Sequence, residues 1–451
     1  MGERRGGWGR RLLVAGLATA LLVACTGDDD DVTLTKASTG TTGPKGWKVL
    51  GKAPVSPPEL DDTPLWGSTN PGALKRVERV TFHGDAAILD GGDGLAVVDA
   101  ATGKVRWRIP WAGELPGGDG AILYPVNNVI HVSGVPVIDA DAGWAVLVGY
   151  GPVPSTEPTA TEEFGVAALA ATDGRVVWKR PVVPAGPQPE GGAVISSIRT
   201  VLSDGQTAFV VGEPPGPSVD TDSAEDPQGL KLVAVDGRTG EVRWERVGVE
   251  LYAVADELLV GFVPGTNGPE PGQLAGMVLD KATGDPLPDR LEGYDWARPR
   301  AVAGHYAQML SGTEPGDAVG TDLLLDLRSG KELGTLGRGT AACTSGDQLI
   351  ACRIGDDGGG TSRLATFDVE AGTGAVAERS ITGQTVTGAW QGGVFVEGEA
   401  RSGPATSRLL DRAGKEVDEV PGRFVAGSDT YVFMATGTTA NPAYAVYRVA
   451  G

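Results

Sequence analysis

Short apolar runs alternate with polar turns along most of the chain, and no long helical pattern separates them after the first 24 residues. The clearest example is LAVVDAATGKVRW, residues 95–107, where an apolar run ends at an Asp, a Thr-Gly pair follows and a second run reaches a Trp. Runs of four or five apolar residues favour strands, and glycine permits the left-handed backbone of a tight reversal. The pattern therefore predicts a β-hairpin.

Seven copies of this hairpin can be recognised by the glycine of the turn. Their first strands are apolar at successive positions, whereas a sheet with one face in water would alternate more cleanly, so both faces are expected to be buried. A second hairpin precedes the copies, as in VTFHGDAAIL at residues 80–89, so the unit has four strands. The seven glycines are Gly103, Gly174, Gly240, Gly284, Gly330, Gly374 and Gly414.

The spacing of these glycines predicts a β-propeller. Four of the intervals are 44, 46, 44 and 40 residues, which matches the period of a propeller blade, roughly 40–50 residues. The two longer intervals at the start, 71 and 66, indicate the same unit with insertions. Residues 423–451 supply three more strands, and Gly46–Leu50 is the candidate for the fourth, which would close the ring. We predict an all-β, eight-bladed β-propeller of four-stranded antiparallel blades, with seven blades as the alternative.

The N-terminal residues predict export. A basic start, Met1–Arg11, precedes the apolar run Leu12–Val23, which is too short to span a bilayer comfortably. Leu-Val-Ala directly before Cys25 resembles the lipobox of bacterial lipoproteins, which implies a lipoprotein signal peptide over 1–24 and lipid, such as palmitate, on Cys25. Residues 25–45 are then a lipidated, flexible tether and residues 46–451 the propeller. We expect a lipid-anchored protein on the extracytoplasmic face of the cell membrane, with the Sec and twin-arginine routes both open.

Charge and cysteine content narrow the function further. The net charge of −20 would repel a phosphate backbone, which excludes nucleic acid as a partner.

Cys343 and Cys352 lie on the two sides of a Ser-Gly-Asp turn in AACTSGDQLIAC. Across a hairpin they would face each other, and in an exported protein such a pair predicts a disulfide. Two buried thiols are the alternative.

The phrase D-x-x-T-G-x-x-x-W, repeated through residues 46–451, resembles the PQQ-like, or quinoprotein-type, β-propeller repeat. In that family the tryptophans dock neighbouring blades, so the resemblance implies docking positions in the first three copies. These are Trp107, Trp178 and Trp244, with the turn glycines Gly103, Gly174 and Gly240. From Gly284 onward the tryptophan is missing, and its place is taken by Pro288, Gly334 and Asp418.

The family contains both enzymes and scaffolds. Its PQQ-dependent alcohol dehydrogenases carry a disulfide between adjacent cysteines, which this chain lacks, whereas the propeller lipoprotein of the outer-membrane β-barrel assembly machinery is a non-catalytic scaffold. His83, His131 and His305 lie in different units without a second ligand at metal-binding spacing, and Asp356–Gly360 lacks the spaced ligands of a calcium loop. We therefore predict no catalytic residue, no metal site and no cofactor, PQQ included. A PQQ-dependent dehydrogenase and a small-ligand sensor that uses the central channel are the alternatives.

The long polar insertions predict where a partner binds. All of them fall between the second and third strands of their units, so they share one rim, and loops on a rigid scaffold are common binding sites. The insertions are Gly151–Glu163, Glu213–Gly229, Pro264–Gln273, Thr313–Thr321, Asp356–Ser362 and Glu399–Ser407. They carry the acidic residues Glu157, Glu162, Glu163, Asp220, Asp222, Glu225, Asp226, Glu270, Glu314 and Asp317. We predict a monomer that presents an acidic, loop-rich rim to a basic protein partner in envelope protein assembly.

Overall fold

The computed structural model of the chain describes sixteen stretches of the sequence. They are residues 48–50, 57–117, 120–124, 135–140, 143–152, 163–184, 197–213, 229–264, 274–291, 298–311, 321–338, 342–346, 348–356, 359–398, 405–438 and 441–450. Cys25, His131 and the predicted boundaries at residues 24 and 45 lie outside these stretches. Among the described residues, no helix is long and apolar enough to cross a membrane.

The strands form eight sheets in chain order, and this arrangement confirms the predicted eight-bladed propeller. Two short strands precede the blades: β1 Lys48–Leu50 and β2 Trp66–Ser68. The first blade contains β3 Val77–His83, β4 Ala86–Gly91, β5 Gly94–Asp99 and β6 Val105–Pro110. The second contains β7 Ala121–Tyr124, β8 Val137–Ala140, β9 Gly143–Pro152, β10 Glu163–Ala170 and β11 Val176–Pro184. The third contains β12 Ser197–Ser203, β13 Thr207–Glu213, β14 Lys231–Asp236 and β15 Val242–Val247.

The remaining blades follow the same antiparallel plan, although the fourth has only three strands in its described part. These are β16 Glu250–Ala255, β17 Leu258–Pro264 and β18 Leu274–Asp280. The fifth blade contains β19 Arg298–Ala303, β20 Tyr306–Ser311, β21 Thr321–Asp326 and β22 Lys331–Arg338. The sixth contains β23 Ala342–Gly346, β24 Leu349–Asp356, β25 Gly359–Asp368 and β26 Thr373–Ser380. The last two contain β27 Gln384–Trp390, β28 Gly393–Gly398, β29 Thr406–Leu410 and β30 Glu416–Pro421, then β31 Arg423–Gly427, β32 Tyr431–Ala435 and β33 Tyr444–Arg448.

Eight hydrophobic clusters lie between consecutive blades and close the ring. The strand β4 shows why its residues are apolar on both faces. Ala86 and Ile88 point into the cluster shared with the second blade, whereas Ala87 and Leu89 point into the cluster shared with the eighth. Burial of apolar surface on both sides of each blade therefore holds neighbouring blades together.

The ring is closed by strands from both ends of the chain, but not by the strand that we predicted. Trp66–Ser68, instead of Gly46–Leu50, pairs with β33 and completes the eighth blade. Lys48–Leu50 lies parallel to β26 on the outer edge of the sixth blade. The physical reason is distance along the chain: an outer strand is followed closely by the next inner strand, and Ser68 is much nearer than Leu50 to the first inner strand at Val77.

The inner strands share a β-bulge near their beginning. One residue is skipped in the pairing of the first and second strands in six blades: Glu78, Arg199, Tyr252, Arg300, Thr387 and Val425. In the second blade the inner strand is split into β7 and β8, which both pair with β9. Bulges increase the local twist of a strand and reorient its side chains, and two of these bulge residues, Tyr252 and Arg300, line a cavity between the inner strands.

Candidate functional site

The repeated turn is held together by its own side chains. In the first blade Asp99 Oδ1 accepts hydrogen bonds from the backbone N–H of Thr102 at 2.9 Å and from its hydroxyl at 2.7 Å. Gly103 follows with φ of +70°, a conformation that glycine adopts without steric cost. Asp236 with Thr239 and Asp280 with Thr283 repeat these bonds. The D-x-x-T-G motif is therefore a self-capping turn.

Each of the three predicted tryptophans contacts the turn of the following blade. The indole N–H of Trp107 donates to the carbonyl of Ala171 at 2.9 Å, and that of Trp178 donates to Gly237 at 2.8 Å. A Cβ atom added at Gly174 would lie 3.1 Å from Cδ2 of Trp107. The other contacts follow the same order: Gly240 lies against Trp178, and Trp244 lies against Gly284 and donates to Lys281.

Sequence reasoning missed one member of this series, Trp66. Its indole N–H donates to the carbonyl of Ala100 at 2.8 Å, and its ring lies against Gly103. Trp66 thus docks the eighth blade onto the first as Trp107 docks the first onto the second. The hairpin motif did not reveal it because the strand that pairs with Trp66–Ser68 is at the other end of the chain.

Other groups replace the tryptophan in later blades. Gly330 lies against the 3₁₀ turn Pro288–Arg290. A Cβ atom added at Gly330 would lie 2.8 Å from the carbonyl oxygen of Asp289 and 2.9 Å from that of Arg290. In the sixth blade the left-handed glycine is Gly372, not Gly374 as the motif predicted, and it lies against the hydroxyl of Tyr306. Trp66, Trp107, Trp178 and Trp244 therefore contact the turns of four successive blades, whereas the turns at Gly330 and Gly372 meet other groups.

Cys343 and Cys352 are directly opposite each other on β23 and β24 of the sixth blade. Their sulfurs form a disulfide that joins the inner strand to the second strand. Cys352 is fully buried in the cluster between the fifth and sixth blades. The bridge therefore reinforces a strand pair that is already hydrogen-bonded.

The two rims of the ring differ in their connections. We call the rim that carries the self-capping turns, such as Thr102-Gly103, the short-turn rim, and the opposite one the long-loop rim. The strand order places the six polar insertions between second and third strands, on the long-loop rim. Most insertion residues lie outside the described part of the chain. Of the ten acidic residues that we named, Glu163 is described, and it is exposed at the start of β10.

Ion pairs hold the strand ends at the long-loop rim. The buried guanidinium of Arg199 lies 3.5 Å from Glu250 of the next blade and 3.7 Å from Glu213 of its own. Arg423 of the eighth blade donates to Glu397 of the seventh at 2.7 Å, and this bond raises the pKa of Arg423. The pair of Arg199 with Glu250 is buried, whereas Arg423 is largely exposed and only its partner Glu397 is buried. A buried pair is geometrically specific even where its net stabilisation is small. Both pairs fix the relative position of neighbouring blades below the loops.

The central channel contains a cavity of about 470 Å³ at the short-turn rim. Inner strands of the first six blades line this cavity. Tyr252 is one of the lining residues, and burial raises the pKa of its phenol to about 12. The split strand β8 forms one wall of this cavity, and two hydrogen bonds join it to the third blade. The Ser203 hydroxyl donates to the carbonyl of Val137 at 2.6 Å, and the Asp139 N–H donates to the carbonyl of Gly205 at 2.7 Å. The polar lining includes His83, Asp139, Ser203, Tyr252, Arg300 and Ser345.

The described histidines have structural neighbours. The His83 ring packs against Trp144 with centroids 4.7 Å apart, and His305 Nδ1 lies 3.1 Å from Asp256. Within the described stretches, no group of three or more His, Cys, Asp or Glu side chains could hold a metal ion. Asp356, Gly359 and Gly360 belong to β24 and β25, and the two residues between them lie outside the description.

The comparison with protein families agrees with the PQQ-like repeat that the sequence predicts. Residues 28–250 match the family model described as outer membrane protein assembly factor BamB. A search of curated proteins finds no match.

Similar solved structures have low sequence identity. BamB from Moraxella catarrhalis is 13% identical, with 86% of this chain and 99% of that chain covered and a TM-score of 0.45. Quinohemoprotein alcohol dehydrogenase from Comamonas testosteroni is 15% identical, with 85% and 68% covered and a TM-score of 0.35. The WD40 domain of SCAP from fission yeast is 9% identical, with 86% and 98% covered and a TM-score of 0.45. The family match over residues 28–250, and not these structures, identifies the PQQ-like propeller repeat in the chain.

Proposed function

We propose that the protein is an exported, lipid-anchored β-propeller that acts as a non-catalytic scaffold for protein interactions in envelope protein assembly. One observation carries this proposal: eight blades form a closed ring, and all six long polar insertions leave it at the same rim. A rigid ring with variable loops on one side is a typical binding platform. The family description, an assembly factor for outer membrane proteins, supports the scaffold role. We extend to this chain the role but not the particular machine.

Charge supports the choice of a basic partner. The chain has a formal charge of −20, and Glu163 is exposed where the second blade meets its insertion. A field of one sign over a surface attracts partners of opposite charge and raises their association rate. We therefore expect capture of the partner to weaken as salt concentration rises.

A photo-crosslinking experiment on intact cells tests the proposal. A photoreactive residue replaces Glu163 on the long-loop rim in one variant and Asp173 on the short-turn rim of the same blade in the other, since both residues are exposed. We expect discrete protein adducts from position 163 and few from position 173. Glu163→Lys should weaken capture of the same adduct protein, and Asp173→Lys should not. Equal adducts from both rims, or adducts from position 173 alone, would contradict a partner at the long-loop rim.

The enzyme alternative makes a different prediction. A PQQ-dependent dehydrogenase would take up PQQ with calcium, acquire the quinone absorbance and reduce a dye in the presence of alcohols. The proposed scaffold would show neither response. Measurement of both on the purified protein separates these two functions without knowledge of the partner.

The central cavity supports a second candidate function, the binding of a small polar ligand. Its volume of about 470 Å³ is within the usual range for ligand sites, about 300–1,000 Å³, and Arg300 and Asp139 provide opposite charges in its lining. Native mass spectrometry of protein purified from its own cells would detect a retained small molecule. We expect Arg300→Ala to remove that mass. Retention of the mass by this variant would place the ligand elsewhere.

A further inference from the structure

The outer strands of the first three blades carry exposed apolar side chains. Val105 on β6, Val177 on β11 and Val242 on β15 are 41%, 39% and 38% exposed. In the part of the chain that the structure describes, the fourth large apolar residue with such exposure, Val247, is also on β15. Single exposed apolar residues are ordinary on a protein surface. Here all four lie on the outer strands of three neighbouring blades.

A β-bulge explains how these side chains come to the surface. In each of the three blades one outer-strand residue is skipped in the pairing, directly before the docking tryptophan: Arg106, Val177 and Arg243. A bulge reorients the side chains beside it, so the tryptophan can face the next blade while the residues before it stay outside. The fifth and seventh blades have the same bulge at Leu333 and Val417, but these two side chains pack against the clusters between blades.

The same three strands are basic in a protein that is acidic as a whole. Together β6, β11 and β15 contain six basic residues and one acidic residue. The outer strand of the seventh blade, β30, contains three acidic residues and no basic residue. Because the formal charge of the chain is −20, positive charge is concentrated on one side of the ring against the net charge.

The cations of these strands keep charge available to a partner. Arg180 donates to the carbonyl of Gly240 at 2.5 Å and Arg246 donates to the carbonyl of Gly284 at 3.0 Å, so the acceptor in both bonds is neutral. Arg243 is exposed and paired with an aspartate of its own hairpin. An exposed ion pair contributes little to stability, so Arg243 can exchange this carboxylate for one of a partner.

Side-chain contacts join the three strands into one continuous surface. Trp107 of β6 lies against Gly174, whose turn leads into β11, and Arg180 of β11 bonds to Gly240, whose turn leads into β15. The turns that lead into the three strands are described without a gap. We call this surface the lateral basic face and define it by six exposed residues: Val105, Arg108, Val177, Lys179, Val242 and Arg243.

We propose that the lateral basic face binds an acidic segment of a protein partner; this goes beyond the proposed scaffold function and rests on it only for the position of the lipid anchor. Carboxylates of the segment pair with Arg108, Lys179 and Arg243, and its apolar side chains cover Val105 and Val242. Complementary charge selects and orients the partner, and burial of the valines adds affinity.

The position of the face favours a protein over the membrane. Lys48–Leu50, the described strand nearest along the chain to the proposed anchor at Cys25, lies on the sixth blade, opposite the second blade in a ring of eight. The net charge also opposes contact with anionic lipid, and the exposed apolar residues are valines instead of the Trp, Phe and Leu of interfacial segments. A polyanion without apolar groups would leave the valines uncovered, whereas an acidic polypeptide matches both features.

The test measures binding of a fluorescent random copolymer of glutamate and tyrosine to residues 25–451 carrying Cys25→Ser, which lacks the proposed anchor. Fluorescence anisotropy gives the affinity, and binding should weaken as salt concentration rises. Arg108→Glu with Lys179→Glu should weaken binding about tenfold. Val105→Thr with Val242→Thr keeps the β-branched shape and should weaken binding about threefold, since two exposed valines lose apolar contact. The melting temperatures of both variants should stay close to that of the parent protein.

The matched control moves the same charge reversal to other blades. Lys331 begins β22 of the fifth blade and Lys415 directly precedes β30 of the seventh, and both are exposed. Lys331→Glu with Lys415→Glu changes the net charge by the same amount and should leave binding within about twofold of the parent protein. If Arg108→Glu with Lys179→Glu does not fold, glutamine at the same positions, with glutamine at 331 and 415 as its control, replaces the comparison.

Four outcomes would overturn the proposal. They are no binding of the copolymer, equal weakening by the face and control variants, binding unchanged by the two threonines, and tighter binding of polyphosphate or of phosphatidylglycerol vesicles that the face variant abolishes. Photo-crosslinks from position 163 lie on the long-loop rim and do not depend on this face. They would persist in the Arg108→Glu, Lys179→Glu variant if the scaffold function is right and the lateral basic face is wrong.

Discussion

The backbone N–H of Leu60 donates a hydrogen bond to Oδ2 of Asp418, 3.2 Å away, and Asp418 stands where the first three blades carry a docking tryptophan. The Leu60 side chain is buried in the cluster between the seventh and eighth blades. The eighth blade has no hairpin turn between its third and outer strands, because β33 and β2 come from opposite ends of the chain. A tryptophan at position 418 would have no turn between a third and an outer strand to contact, and Leu60 lies there instead.

Leu60→Ala should destabilise the closed ring. The substitution removes a buried side chain at the seam, where collapse of neighbouring groups is limited, so we expect a loss of about 2–4 kcal/mol in the free energy of unfolding. Denaturant unfolding followed by tryptophan fluorescence measures it. Asp62→Ala, two residues away at an exposed position, is the control. Equal stability of the Leu60→Ala and Asp62→Ala variants would show that Leu60 does not hold the seam.

The contact between Trp107 and Gly174 predicts energetic coupling. Gly174→Ala should cost about 1–2 kcal/mol because φ is +73° and the new methyl would meet the indole. Trp107→Ala should cost about 3–5 kcal/mol, and Trp107→Phe about 1 kcal/mol through loss of the hydrogen bond to Ala171. In the double variant Trp107→Ala, Gly174→Ala the new methyl no longer meets a ring. Its loss of unfolding free energy should therefore be smaller than the sum of the losses of the two single variants. Strict additivity in a double-mutant cycle would refute the contact.

Acid should weaken the pairing of Glu257 with Arg328. The hydrogen bond from Arg328 lowers the pKa of Glu257 from its ordinary 4.5 to about 2. Because the folded state holds this pKa down, the stabilisation is complete above pH 4.5 and is lost as the pH falls through 2. The pair is largely exposed, so the effect should stay below about 1 kcal/mol. Between pH 5 and pH 2.5 the free energy of unfolding should fall more for the wild type than for Glu257→Gln. An equal fall for both proteins would contradict this prediction.

Removal of the disulfide should have a modest effect. Cys343 and Cys352 are nine residues apart and already paired in the sheet, so their cross-link closes a short loop. We expect the Cys343→Ser, Cys352→Ser double variant to fold and to lose about 2 kcal/mol of stability. Thiol titration of a Cys25→Ser protein in denaturant should find no free thiol. Two free thiols in protein exported by its own cells would contradict the bridge.

Lipid attachment at Cys25 stays a prediction from the sequence. Cells fed an alkyne analogue of palmitate should label the wild-type protein, and the wild type should partition into a detergent phase. Cys25→Ser should abolish both, whereas the Cys343→Ser, Cys352→Ser variant should keep them. Label that persists in Cys25→Ser would place the lipid elsewhere or reject lipidation.

The sequence by itself determined the hairpin unit and its repetition, and its resemblance to the PQQ-like repeat implied the docking positions of the first three tryptophans. Asp99, Thr102 and Gly103 make one turn with their own neighbours, so a short motif carries all the information that the turn requires. The alternation of Ala86 and Ile88 with Ala87 and Leu89 between two clusters likewise follows from apolar residues at successive positions.

Only the tertiary structure decided which strands close the ring. Lys48–Leu50 and Trp66–Ser68 are both short strands, and their different partners, β26 and β33, are hundreds of residues away. Pairing at a sheet edge uses backbone groups that every residue except proline has, so the local sequence does not name the partner. The packing of complete blades selects it, and the same packing placed Trp66, Tyr306 and Leu60 where no motif predicted a contact.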